Sequence, residues 1–250
     1  MKHLIRSELL KHRTLRSFVI AFAAAAIAGG LTAIALITSA GHAGNPPLDR
    51  NSLSQILHGP YAIVAGAALL LGILGTAGEF RHQTITSTLL AAPRRGRLVT
   101  AKVLVHAGLG AALAVVASAV NQAVAIPWLS YQDIPFGGPM DMTRALVGLV
   151  AAAALFGALG AGLGALLGNQ TAAVGVSVVW LLAVEGLVVS LTSMPTLPEW
   201  LPGGALSVVS GGGAGPDTSV PLWAAAGCAV VYAGALVVAG TLRFIKRDVT

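Results

Sequence analysis

Few side chains in this sequence can do chemistry, and they are sparsely placed. Glu185 is a carboxylate inside the apolar run Val178-Val179-Trp180-Leu181-Leu182-Ala183-Val184-Glu185-Gly186-Leu187. A charge at membrane depth costs at least ~2.5 kcal/mol, so such a residue faces a protein interior or a water-filled cavity. Two roles fit it: lining a substrate pathway, or joining helices as a protonated or hydrogen-bonded carboxyl. The histidines are scattered, with His3, His12 and His82 in basic segments, His42 and His58 in one polar loop and His106 at the start of an apolar run, so no metal site is expected. Cys228 is the single cysteine, which excludes an intrachain disulfide and a multi-cysteine metal centre. His106 with Glu185 is too thin a set for intramembrane catalysis, so the chain reads as no enzyme, with no catalytic residues and no cofactor of its own.

The other distinctive stretch is Gly78-Glu79-Phe80-Arg81-His82-Gln83-Thr84-Ile85-Thr86-Ser87-Thr88-Leu89-Leu90-Ala91-Ala92-Pro93-Arg94-Arg95-Gly96-Arg97, strongly basic in a chain that otherwise avoids charge. Its uncharged middle offers apolar and hydroxyl side chains to water, as an interaction surface does. Thr84 to Ala92 has the length of a short helix that Pro93 would bound.

The elements that must position these residues are membrane spans. Of the 250 residues 56% are hydrophobic and 10% charged, far from the ~25% charged of soluble domains, which makes this an all-α integral membrane protein. Six spans are expected at 17–38, 60–78, 99–126, 145–168, 171–193 and 220–242, each near the ~20 residues that cross ~30 Å of hydrocarbon. Pro127 to Asp141 reads as a loop and Asn169-Gln170 as a tight turn. The whole of 1–250 is then a single transmembrane domain.

Thirteen of the fifteen Lys and Arg residues fall on one side of this arrangement: five up to Arg16, five from Arg81 to Lys102 and three from Arg243 to Arg247. The positive-inside rule makes that side cytoplasmic, with both termini there. The same clustering beside spans assigns the net charge of +6 to lipid headgroups and topology, not to nucleic acid. Ser39-Ala40-Gly41-His42-Ala43 loosely resembles a signal cleavage site, but the preceding apolar run is too long for a signal core and Glu8 lies in the leading segment, so a retained first span is expected. In residues 1–16, Leu4, Ile5 and Leu9 fall on one helical face and Lys2, Arg6 and Arg13 on another, with Leu10 outside the apolar stripe, as suits a helix lying along the membrane surface.

The order of Glu79 closing the second span, Thr84 to Thr88, Leu89-Leu90, Pro93, Arg94-Arg95, Arg97 and Lys102 opening the third resembles the cytoplasmic loop of ABC-2 type permeases, the membrane subunits of ATP-binding cassette exporters. The likeness extends over the chain: a basic leading helix, six spans, a Pro/Gly-rich segment before the last span and a basic end. It implies that 79–98 is a coupling loop docking on a nucleotide-binding ATPase subunit through Glu79, Thr84, Ile85, Thr88, Leu89, Leu90, Pro93, Arg94 and Arg95. It also implies that 194–219 is a re-entrant outer segment, that ATP and Mg belong to the partner, and that the cargo is a hydrophobic or amphipathic drug, natural product or peptide. Pro195, Pro198, Pro202 and Gly211-Gly212-Gly213 independently forbid one continuous helix there. None of the four lysines follows a glycine, so the chain carries no phosphate-cradling loop, and ATP, if used, binds elsewhere. Six spans are few to enclose a path, which implies a second copy or a homologous permease in the plasma membrane. A self-contained channel or secondary transporter is the alternative, and inverted repeats or several intramembrane charges would mark it. Gly160, Gly164 and Gly168 repeat at four-residue spacing, read as close packing within the chain.

Overall fold

The computed structural model describes residues 1–13, 16–42, 48, 55–84, 95–134, 139–191, 196–211 and 220–246. Its described residues form helices joined by turns, with no strand among them, and six helices are long and apolar enough to cross a membrane, which makes this a multi-pass membrane protein. A short helix α1 (Lys2–Arg13) precedes α2 (Arg16–Ser39), α3 (Tyr61–Arg81), α4 (Arg95–Tyr131), α5 (Pro139–Leu167) and α6 (Gln170–Leu191). A 3-10 turn (Leu197–Trp200) and a short helix α7 (Pro202–Ser210) then lead to the last span, α8 (Leu222–Lys246).

Small residues decide the packing. Gly160 of α5 lies against the backbone of Leu69, and Gly72 of α3 lies against that of Gly157 and Ala161. Without side chains at these positions the two backbones touch, which maximises dispersion contact where lipid offers no hydrophobic drive. Gly164 also meets α3, at Thr76 and Ala77. Gly168 does not extend the stripe: its φ of +56° places it in the left-handed conformation that ends α5 before the turn. The Asn169 side chain then accepts from the Ala172 amide and caps α6. The four-residue glycine repeat therefore serves packing within the chain at its first two members and a turn at its third.

Burial is uneven across the bundle. In the apolar windows of α3 and α5, 56% of residues are buried, against 11% for α6 and 17% for α8, so much of α6 and α8 must meet lipid or another chain. The expected loop from Pro127 to Asp141 is shorter than its prolines imply. Helix α4 runs through Pro127 to Tyr131, and α5 already begins at Pro139. Pro127 deprives the Ala123 carbonyl of its partner, but so near a helix end one lost bond is tolerable, and Asp133, with φ of +54°, closes the turn instead. Residues 135–138 lie outside the described residues.

Candidate functional site

Two polar constellations interrupt the apolar bundle, at opposite ends. The first joins α1, α3 and α4. Lys102 is 1% exposed and its ammonium donates to Glu8 Oε2 at 2.8 Å, Glu79 Oε1 at 2.7 Å and the Gly75 carbonyl at 3.2 Å. Three acceptors use the three N–H groups of a lysine, which leaves no amine for covalent chemistry. Lys11 closes the ring, 2.7 Å from Glu8 Oε1 and 2.8 Å from Glu79 Oε1. Two acids and two lysines thus alternate with no net charge, the condition under which buried ions are tolerated. One turn further along α4, His106 is buried with Nδ1 2.6 Å from the Lys102 carbonyl.

Burial works to raise the Glu8 pKa, but Lys102 and then Lys11 outweigh it and hold the carboxyl below its ordinary 4.5. Burial likewise works to lower the Lys11 pKa, but Glu79 and Glu8 hold the amine above its ordinary 10.5. Glu8 therefore contributes stability that is complete above its unfolded pKa and is lost as pH falls through the lowered folded value. The contribution of Lys11 is complete below its unfolded pKa and is lost as pH rises through the raised value. The ring is intact across neutral pH. A thermal-unfolding series in detergent should show wild-type stability falling as pH drops below about 4. Glu8→Gln should be less stable at pH 7 with a flatter acid limb, and an unchanged acid limb would deny Glu8 this role.

The expected loop residues divide between these elements. Glu79 stands in the ionic ring, and the Thr84 amide donates to the Glu79 carbonyl at 3.0 Å. Arg95 opens α4 and donates to the Phe244 and Ile245 carbonyls at 3.4 and 3.1 Å, satisfying free carbonyls near the end of α8. Ile85, Thr88, Leu89, Leu90, Pro93 and Arg94 lie outside the described residues. Sequence reasoning noted Lys102 and Glu79 as span ends but did not join them to Glu8 and Lys11. A carboxylate on a helix that otherwise carries basic charge was the available signal.

The second constellation surrounds Glu185. Residues Val179–Val184 form a π-helical segment, in which residues five apart stack on one face. The Glu185 amide donates to the Trp180 carbonyl, five residues back, and the Trp180 indole Nε1 donates to Glu185 Oε1 at 2.9 Å. That same oxygen accepts from the Gly203 amide at 2.8 Å, so the carboxylate sits on the N-terminal turn of α7, where the helix dipole favours an anion. The Tyr61 hydroxyl donates to the Gly203 carbonyl at 3.0 Å, and that of Tyr232 to the Trp200 carbonyl at 3.1 Å, so α3 and α8 hold the same segment. Glu185 is half-buried, at the meeting of α3, α6 and α7 rather than alone in a pathway wall.

Beside it, α3, α5, α6 and α8 line open apolar grooves. One cavity of about 270 Å³ is lined by residues including Leu159, Trp180 and Tyr232, and a second of about 370 Å³ by residues including Tyr61 and Glu185. They share Leu69, Phe156, Ser177 and Leu181 as walls. Among the described residues, no three His, Cys, Asp or Glu side chains converge as a metal site. A scan of protein-family models finds no match to the chain, and a search of curated proteins finds none either.

Proposed function

We propose that this chain is the membrane subunit of an ATP-driven exporter of the ABC-2 type, moving a hydrophobic or amphipathic compound outward by alternating access. The observation that carries the reading is the ionic ring. It fastens the leading helix to the ends of the second and third spans, on either side of the basic 79–98 interval. A displacement applied to that interval would move α1, α3 and α4 together, because parting them strands buried charges. In this reading 79–98 docks on a separate nucleotide-binding subunit, which carries ATP and Mg, and α1 is an amphipathic helix at the cytoplasmic surface of the plasma membrane.

The remaining features suit that role. The 3-10 turn and α7 form a re-entrant outer segment within 194–219, tied to the spans by Glu185, Tyr61 and Tyr232. The sparsely buried α6 and α8 leave faces for a second permease copy or a homologue. Inverted membrane vesicles containing the chain and its partner should accumulate a lipophilic fluorescent cargo when ATP is added. Equal accumulation without ATP would support the self-contained transporter.

Orientation has its own test. Ser52→Cys should react with an impermeant thiol reagent in whole cells, whereas Thr86→Cys should react only after lysis, as the basic asymmetry requires. Labelling of Thr86→Cys in intact cells would invert the topology and remove the docking surface from the cytoplasm.

A further inference from the structure

We infer that the groove beside Glu185 binds a lipophilic organic monocation, an aromatic or branched apolar body bearing one amine, quaternary ammonium or phosphonium charge. This rests on the exporter reading, takes the groove as part of its path, and narrows the cargo from hydrophobic compounds in general to cationic ones.

Charge and shape carry the inference. The groove of about 370 Å³ is at the small end of small-molecule sites and that of about 270 Å³ adjoins it, and their walls are mostly aliphatic or aromatic, with the Ser177 hydroxyl and one charged side chain, Glu185. Among the described residues, Trp180 and Gly203 donate hydrogen bonds to that carboxylate, and both end on Oε1. Oε2 lies against Gly203 and accepts no hydrogen bond among the described residues, so its acceptor capacity is available at the edge of the groove that Glu185 lines. The positive end of α7 supplies roughly half an elementary charge, so a full carboxylate there leaves the site negative. Phe156, Tyr61, Trp180 and Tyr232 bring aromatic rings to the same space, and ring faces attract organic cations. An anion of the same shape would meet like charge at the carboxylate, and a neutral one would gain only contact with the walls.

Helix capping alone needs one carboxylate oxygen and no cavity, and it predicts no preference for ligand charge. A glutamine at this position keeps an amide oxygen to accept from Trp180 and Gly203, so the fold should survive while the charge is removed.

Tetraphenylphosphonium and tetraphenylborate are nearly isosteric ions of opposite charge, and their binding to the purified full-length chain in a neutral detergent separates the two accounts. Each ratio of affinities is compared between wild type and Glu185→Gln, so partition into the micelle cancels. Wild type should favour the phosphonium by at least about tenfold more than the Gln variant does. An equal ratio in the two proteins would overturn the inference, as would failure of wild type to bind the phosphonium. Should Glu185→Gln not fold, wild type alone decides: phosphonium bound at least about tenfold more tightly than the borate, each corrected for its partition into protein-free micelles, supports the site, and equal affinities overturn it. The assay contains no ATPase and no transport step. A chain that binds the cation but recruits no ATPase would overturn the exporter reading alone, and one that recruits the ATPase without binding the cation would overturn this inference alone.

Discussion

Lys102→Met should destabilise the folded chain by about 3–5 kcal/mol, the cost of leaving buried carboxylates without their counter-ion. Glu8 and Glu79 are then held together with only Lys11, whose side chain is 42% exposed. Repulsion between the acids should release α1 from α3 and α4. The check is a thermal scan of the purified protein, together with proteolysis within residues 1–13, which should become faster in the variant. Adding Glu8→Gln and Glu79→Gln to Lys102→Met removes the stranded charges and should recover most of the loss, since an apolar or neutral replacement of a whole buried ionic set is often harmless. A single Lys102→Met variant as stable as wild type would show that the ring holds nothing.

The second large effect is expected at the proposed docking surface. If 79–98 docks on an ATPase as proposed, replacing Leu89 and Leu90 together by Asp should weaken the hold on that partner by roughly a thousandfold, because two charges would be buried unpaired at the contact. The membrane fold should be unaffected, since both residues lie between spans, in the interval from Arg81 to Arg95. Size-exclusion elution and thermal stability of the variant should match wild type while the partner is lost. Undiminished recovery of the partner with the double variant would remove Leu89 and Leu90 from the interface.

How much was legible beforehand follows from the period and length of the signals. Six apolar runs of spanning length announce six helices because the bilayer permits little else, and each expected span overlaps an observed one. Prolines misled at Pro127, where a helix near its end tolerates one missing hydrogen bond. Glu185 was conspicuous because a carboxylate in oil is costly, yet its partners were hidden. Trp180 is reached through a π-helical segment that no 3.6-residue pattern encodes, and Gly203 through a tertiary contact eighteen residues away. The ionic ring was hidden for a related reason: Glu8 and Lys102 are separated by 94 residues, and single charges at helix ends resemble ordinary solvated ones. Nothing local in the sequence distinguishes a lysine that faces water from one with three acceptors around it.

The central claim is that the 79–98 interval is read by a nucleotide-binding ATPase. Affinity purification of the tagged wild-type chain in a mild detergent, with the co-purifying proteins quantified and assayed for ATP hydrolysis, tests it directly. The account predicts a nucleotide-binding protein in stoichiometric amount, with ATPase activity in the eluate that disappears when Leu89 and Leu90 are Asp. A chain recovered intact and folded with no such protein, and with no ATPase activity, would contradict it.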